Sequence, residues 1–368
     1  MHPAISVGIT FMSLKYQFNK CFRSYSQRVF LACSVMLGLL IPSVVQVPGS
    51  RVLAQSVMTQ DLEAAGLYQQ GVIRYSRTDF QGAEMLLRQA LQIDPNLAAA
   101  RTYLGNIMLQ QNRLDAAVQE YGEAVRIDPS FAEGFFNLGL GLQKQGQQEA
   151  AITAYRQALV INPTMAGAHY NMGLALYEQG QFADAIASYQ QAISLDGSNA
   201  NAYFNLAIAL QQQGQNQAAM NAYRQVVQIN PNSAAAYNSL GNLMIMQGQT
   251  ADAIATYQES VRRIPKNPEA YYSLGTVWYN QSEFKKANIA FQRAQKQYRE
   301  QGNYQQAEKL EQLLQQIAQG NKNPGETLPT SEIPTAPETS QSPIQSNNPT
   351  EITPNNMIEF GQPIPGKS

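Results

Sequence analysis

Pro95, Pro129, Pro163, Gly197, Pro231 and Pro265 follow one another at intervals of 34 residues. A fixed period of this length marks an array of short structural units. No single unit can bury its apolar face alone, so each stacks on its neighbours. That excludes a single closed core and directs the search for function to a surface shared by many units.

Counted on this period, units start at Ala64, Ala98, Ala132, Ala166, Ala200, Ala234 and Pro268. Place 8 is always small: Gly71, Gly105, Gly139, Gly173, Ala207, Gly241 and Gly275. Place 20 is always Ala (Ala83, Ala117, Ala151, Ala185, Ala219, Ala253, Ala287). Place 24 is always large: Leu87, Tyr121, Tyr155, Tyr189, Tyr223, Tyr257 and Phe291. Small residues let two helices approach closely, and the large side chain fills the wedge between them. Apolar places 4, 7, 8 and 11 follow helical spacing, as in Phe135, Leu138, Gly139 and Leu142. A turn at Gly146, Gly180, Gly214 or Gly248 then breaks the unit, and a second helical pattern follows. Asp94-Pro95, Asp128-Pro129, Asn162-Pro163 and Asn230-Pro231 end that second helix, because proline lacks a donor and disfavours helix in the residue before it. The unit is a helix hairpin.

These residues resemble the tetratricopeptide repeat (TPR) family. Leu138-Gly139, Leu142, Ala151, Tyr155, Ala158 and Pro163 match its pattern within one unit, and the register persists through all seven. The resemblance implies an all-α fold: a right-handed α-solenoid of seven TPR hairpins over 64–301. A capping helix is expected at 303–319, with Ala307, Leu310, Leu314 and Ile317 on one stripe and Gly320 as its stop. Unit 1 departs from the pattern with Gln70 and Arg74 at apolar places, which suits a polar end. Unit 4 closes with Asp196-Gly197 instead of Asp-Pro, predicting a looser junction, and unit 7 lacks the closing proline.

The ends differ in character. Residues 1–54 carry Lys15, Lys20, Arg23, Arg28 and Arg51 and no acid, followed by an apolar run from Val29 to Ile41. This resembles a secretory signal peptide cut after Ala54, giving an exported protein with a short linker at 55–63. The competing reading is a retained membrane anchor through residues 29–47. Both cysteines, Cys21 and Cys33, fall in this stretch, so the exported chain would hold no thiol. It would carry 20 basic against 26 acidic residues, a balance of −6 with no basic stripe, which argues against nucleic acid as partner. Charged residues are only 14% of the whole chain, against roughly 25% in average domains. Residues 320–368, rich in Pro, Thr, Ser and Asn, are expected to be disordered, with one apolar island at Met357–Phe360. Gly361–Ser368 matches the letters of a phosphate-binding loop. Two prolines delete amide donors and no strand precedes it, so it reads as coincidence.

On the first helix, places 2, 5, 6, 9 and 13 turn away from the packing seam, since two residues span about 200° of helix. In the TPR family that face lines a concave groove. Place 6 carries Asn137, Asn171, Asn205, Ser239 and Ser273; place 5 carries Tyr68, Phe136, Tyr170, Phe204, Asn238 and Tyr272. An amide offers donors and an acceptor to a peptide backbone of any sequence, and aromatics supply rigid contact area. The place-6 asparagines 137, 171 and 205 resemble the asparagine ladder in the TPR arm of O-linked N-acetylglucosamine transferases, without a catalytic domain here. The alternative is that the asparagines keep an exposed face soluble and the aromatics pack on neighbouring hairpins. Lys144 is the one cation at place 13, so the carboxylate clamp of chaperone-binding TPRs is not expected.

His169, the single histidine after residue 54, sits at place 4 among aromatics, and Trp278 at place 11 is expected in the core. No catalytic constellation, metal ligand set or cofactor motif emerges, and no small-molecule substrate is implied. The leading expectation is a non-catalytic scaffold binding an extended peptide or protein partner, for assembly or tethering of complexes. The alternatives are a self-associating repeat protein, hence a homo-oligomer, and an accessory recognition subunit of a separate enzyme.

Overall fold

The computed structural model describes the backbone of residues 50–320 and side chains within 62–318. The chain divides into two compact units, 1–62 and 63–368. Of the first, the described residues 50–62 are helical, including most of the stretch expected as a linker. The alternation of apolar and polar residues there fits helix as well as coil, and no Gly or Pro interrupts it before Gly66. The signal-peptide and anchor readings, both cysteines, the tail after Gly320 and the Gly361–Ser368 sequence lie outside the described residues.

Fifteen helices and no strand occur among the described residues. Seven pairs form the units: α1 (Ser50–Ser76) with α2 (Phe80–Ile93), α3 (Ala98–Gln110) with α4 (Leu114–Ile127), and α5 (Ala132–Lys144) with α6 (Gln148–Ile161). Then come α7 (Ala166–Glu178) with α8 (Phe182–Leu195), α9 (Ala200–Gln212) with α10 (Asn216–Ile229), and α11 (Ala234–Met246) with α12 (Thr250–Arg263). The last pair is α13 (Pro268–Asn280) with α14 (Phe284–Glu300), and α15 (Tyr304–Gly320) follows. No described helix is long and apolar enough to cross a membrane.

Each turn within a hairpin needs one residue in the left-handed region. Gly146, Gly180, Gly214 and Gly248 fill it at φ 70–77°. Thr78, Asn112 and Ser282 take the same place in units 1, 2 and 7 at φ 58–62°, a conformation that costs a side-chain-bearing residue roughly 1 kcal/mol or more. The following amide reaches back five residues to close the first helix, as from Gln147 N–H to the Leu142 carbonyl at 2.9 Å.

Between units, the side chain at place 31 organises the turn. Asp94, Asp128, Asn162, Asp196 and Asn230 each accept the amide N–H two residues on, at 2.9–3.1 Å. Asp196-Gly197 therefore makes the same closed turn as its proline-bearing sisters. The looser junction expected there is not seen, because the carboxylate and not the proline supplies the bond. Unit 6 has Ile264 at this place, and a different device serves its junction. Asn267 donates to Asn238 Oδ1 at 3.1 Å and to Ser260 Oγ at 2.8 Å, all three residues being buried.

Place 8 meets place 24 within every hairpin. A Cβ added at Gly105 or Gly139 would fall 2.5 Å from the ring of Tyr121 or Tyr155. Unit 5 carries Ala207 instead, still fully buried with Tyr223. The core runs unbroken from Ile152 to Ala290, each second helix packing on the next unit's first helix. At the far end α15 buries Ala307, Leu310 and Ile317 on Phe291, Ala294 and Tyr298, where the sequence stripe placed a cap.

Candidate functional site

The place-24 tyrosines form a column of phenols buried at their rings. Their hydroxyls point toward the row of first helices and take amide acceptors there. Tyr121 donates to Asn106 Oδ1 at 2.7 Å, Tyr155 to Gln143 Oε1 at 2.8 Å, Tyr223 to Gln211 Oε1 at 2.6 Å and Tyr257 to Asn242 Oδ1 at 2.5 Å. Burial pushes all of these phenols well above their ordinary value. Tyr189 is the exception in bonding. Its unit has Leu174 at place 9 and Tyr177 at place 12, and its buried hydroxyl has no partner among the described residues.

First helices of successive units lie against one another, α3 on α5, α5 on α7, α7 on α9 and α11 on α13. This closeness decides what places 5 and 6 can do. Asn205 is fully buried and donates to the Tyr170 hydroxyl, one unit back, at 2.9 Å. Asn171, also buried, donates to the Gly167 carbonyl of its own helix at 2.8 Å. Ser273 is buried beside the Tyr257 hydroxyl, and Ser239, half-exposed, bonds the Tyr223 hydroxyl. Asn137, at 4% exposed, is buried like Asn171 and Asn205.

The place-5 rings pack inward on place 24: Phe136 on Tyr155, Tyr170 on Tyr189, Phe204 on Tyr223 and Tyr272 on Phe291, with centroids 5.4–6.1 Å apart. Tyr68 instead meets Tyr103 of unit 2 edge-on at 6.0 Å. Tyr170 and Phe204 are buried, while Tyr68, Phe136 and Tyr272 are half-buried. Asn238 is buried in the junction with Asn267 and does not face outward. Places 5 and 6 thus pave the seam between units more than they project from it. The helical-wheel argument sets direction but not the distance to the next helix, and that distance is what buries them.

The amides that remain half-exposed on this face stand at places 9 and 12: Asn242, Gln143 and Gln211. Each has its carbonyl oxygen engaged by a tyrosine hydroxyl, which fixes the side chain and leaves the amide NH₂ to donate. Their recurrence on the repeat ruler was a readable signal, but only the tyrosine contact shows that they are oriented. Around Gln211 and Asn242 charge is sparse in the sequence, with Arg224 the sole charged residue between Asp196 and Asp252, whereas Gln143 adjoins Lys144.

His169 brings Nε2 to 3.1 Å from the Pro163 carbonyl, so that nitrogen carries the donated hydrogen. No group of three or more potential metal ligands occurs among the described residues. Trp278 is half-buried and packs against two core clusters, less enclosed than expected.

Residues 105–146, 142–180 and 173–214 match a family model described as TPR repeat, and 210–275 one described as tetratricopeptide repeat. None of the curated proteins compared matches the chain. Among solved structures, the C-terminal part of a TPR repeat-containing protein from Cytophaga hutchinsonii aligns with TM-score 0.55 at 16% identity, covering 62% of this chain and 93% of that one. The MamA protein aligns with TM-score 0.44 at 25% identity over 46% and 92% of the two chains. YrrB, described as a TPR protein with an unusual peptide-binding site, gives 0.44 at 19% identity over 50% and 94%.

Proposed function

From the premise that this is an all-helical protein built of tetratricopeptide repeats, we propose that it is a non-catalytic scaffold holding an extended, largely uncharged polypeptide along its row of first helices. A protein-interaction role goes with the repeat architecture itself. The observation that carries the finer reading is the belt of half-exposed, tyrosine-braced amides at Gln143, Gln211 and Asn242. Fixed amides can donate to a peptide backbone without ordering cost at the moment of binding. With Arg224 alone between Asp196 and Asp252, a charged ligand would find few partners there, so binding should depend little on salt. The acid-free basic start and apolar run of residues 1–54 support export, which N-terminal sequencing of the mature protein checks.

The test replaces Gln143, Gln211 and Asn242 with Ala, singly and together, and measures partner recovery from an envelope extract alongside melting temperature. Loss of the recovered partner in variants that still melt cooperatively supports the groove. Undiminished recovery with the triple variant removes it.

A further inference from the structure

The outward face of each second helix is read at places 18, 22, 26 and 29. In α2 these are Gln81, Met85, Gln89 and Gln92; in α8 Ala183, Ala187, Gln191 and Ser194; in α10 Gln217, Asn221, Gln225 and Gln228. Mixed or acidic sets stand in α4, α6 and α12, such as Asp115, Gln119, Glu123 and Arg126. In α14 alone the set is Lys285, Ile289, Arg293 and Lys296, three cations around one apolar side chain. All four are exposed, Ile289 at 54%. Lys285 makes no ion pair among the described residues, and Lys296 reaches Glu300 only at 3.8 Å with both side chains largely solvated. Arg293 rests over the Tyr271 ring at 5.8 Å, which leaves its hydrogen-bond donors to others.

The chain that follows α15 has the complementary chemistry. Between Asn323 and Gly366 it holds Glu326, Glu332, Glu338, Glu351 and Glu359 and no cation. Several of these acids adjoin an apolar residue: Glu332-Ile333, Glu351-Ile352 and Glu359-Phe360. Its point of departure is also favourable. Helix α15 returns antiparallel along α14, with Gln295 and Arg299 near the C-terminal half of α14 contacting Ala307 and Glu311 in its first half. The two helices are equally long at 17 residues, so Gly320 leaves beside the start of α14, where Lys285 lies. Glu332 is twelve residues further, enough to span about 40 Å when extended, whereas α14 is about 25 Å long. A tether this short gives an effective concentration on the order of millimolar, so even weak ion pairs around an apolar contact are populated.

We propose that the Glu-apolar segments of residues 326–338 dock in cis on the Lys285–Ile289–Arg293–Lys296 stripe of α14. The occupant is this chain's own acidic segment, and the surface is separate from the first-helix face. The docked segment covers the one exposed basic-apolar stripe of the array and releases it when salt or a stronger polyanion competes.

The experiment uses the full chain with Cys21 and Cys33 replaced by Ser and spin labels at Gln292→Cys and Ser331→Cys. Pulsed dipolar spectroscopy at low salt should show a short-distance population. That population should fall by about threefold in the Lys285→Gln/Arg293→Gln/Lys296→Gln variant, and equally in Glu326→Gln/Glu332→Gln/Glu338→Gln, which leaves the array untouched. One broad distribution, identical in all three proteins, overturns the proposal. So does sedimentation of the chain with phosphatidylserine vesicles, lost in the cation variant but unaffected in the glutamate variant. That result would assign the stripe to a lipid surface.

Discussion

The two ends of the array meet the same physical problem and solve it differently. Units 2, 5 and 6 bury places 7, 10 and 11 of the first helix, as with Leu104, Ile107 and Met108, and units 3 and 4 keep small or apolar residues there that are buried or half-buried. Unit 1 has no preceding unit. It substitutes Gln70 and Arg74 at two of the three places, while Ile73 at place 10 is left 49% exposed. Arg74 then turns outward to Asp79 at 2.7 Å, and Asp79 also caps α2 by accepting the Gly82 amide at 2.9 Å. That amide bond and the guanidinium hold the carboxyl below the usual range. Unit 7 keeps apolar residues on its exposed side and adds an element, α15, to cover Phe291, Ala294 and Tyr298. Changing side chains leaves a solvated end of low local stability; adding a helix extends the core.

Ending the chain at Gly302 should expose three aromatic or aliphatic core side chains and cost on the order of 5 kcal/mol, with amide exchange in α13 and α14 rising most. The point version is Leu310→Ala, expected to lose about 2–4 kcal/mol in urea melts. Ile73→Ala should lose under about 0.5 kcal/mol, since that side chain is half in water. Similar losses at both would break the contrast.

If the polar substitutions keep the first end single, Gln70→Leu/Arg74→Leu should make it adhesive. Light scattering would then report concentration-dependent association that the parent chain lacks. A variant that stays monomeric at the same concentrations would mean that Ile73 and its neighbours already define a non-adhesive surface.

Strain at the end turns gives a smaller effect of opposite sign. Thr78→Gly and Ser282→Gly each relieve a left-handed residue and should raise stability by up to about 1 kcal/mol in thermal or urea melts. Thr78 gains more because its side chain is β-branched. Within the middle, Tyr155→Phe forfeits the bond to Gln143 and should cost about 1 kcal/mol, whereas Tyr189→Phe removes an unpartnered hydroxyl and should cost nothing or stabilise. Equal losses from the two would show that the Tyr189 hydroxyl is satisfied in solution.

Alkaline titration sharpens the difference between ends most finely. Burial raises the phenols in the folded chain, with Tyr68 pushed up to about 12 and Tyr298 displaced further. Folded values above the unfolded 10 mean that this contribution is intact below pH 10 and is lost as pH rises beyond it. Tyrosinate absorbance should therefore appear at the first units before Tyr298 ionises, followed by unfolding; comparing Tyr68→Phe with Tyr298→Phe assigns the steps.

Much of this was legible in the residues. The 34-residue ruler, small place 8 and large place 24 specify hairpins that can only be buried by stacking, and Ala307, Leu310 and Ile317 mark the cap by their spacing. Those are local and periodic properties, carried by side-chain size and helical pitch. The site was less legible. Periodicity places Asn205 and Phe204 on the outward arc of a helix, but their burial follows from how near the next first helix comes. Likewise, Gln143 and Gln211 are ordinary polar residues until a tyrosine hydroxyl from the second helix fixes them. Direction along a helix is written in one dimension; distance between helices, and hence which amides stay free to donate, is settled only when the hairpins pack.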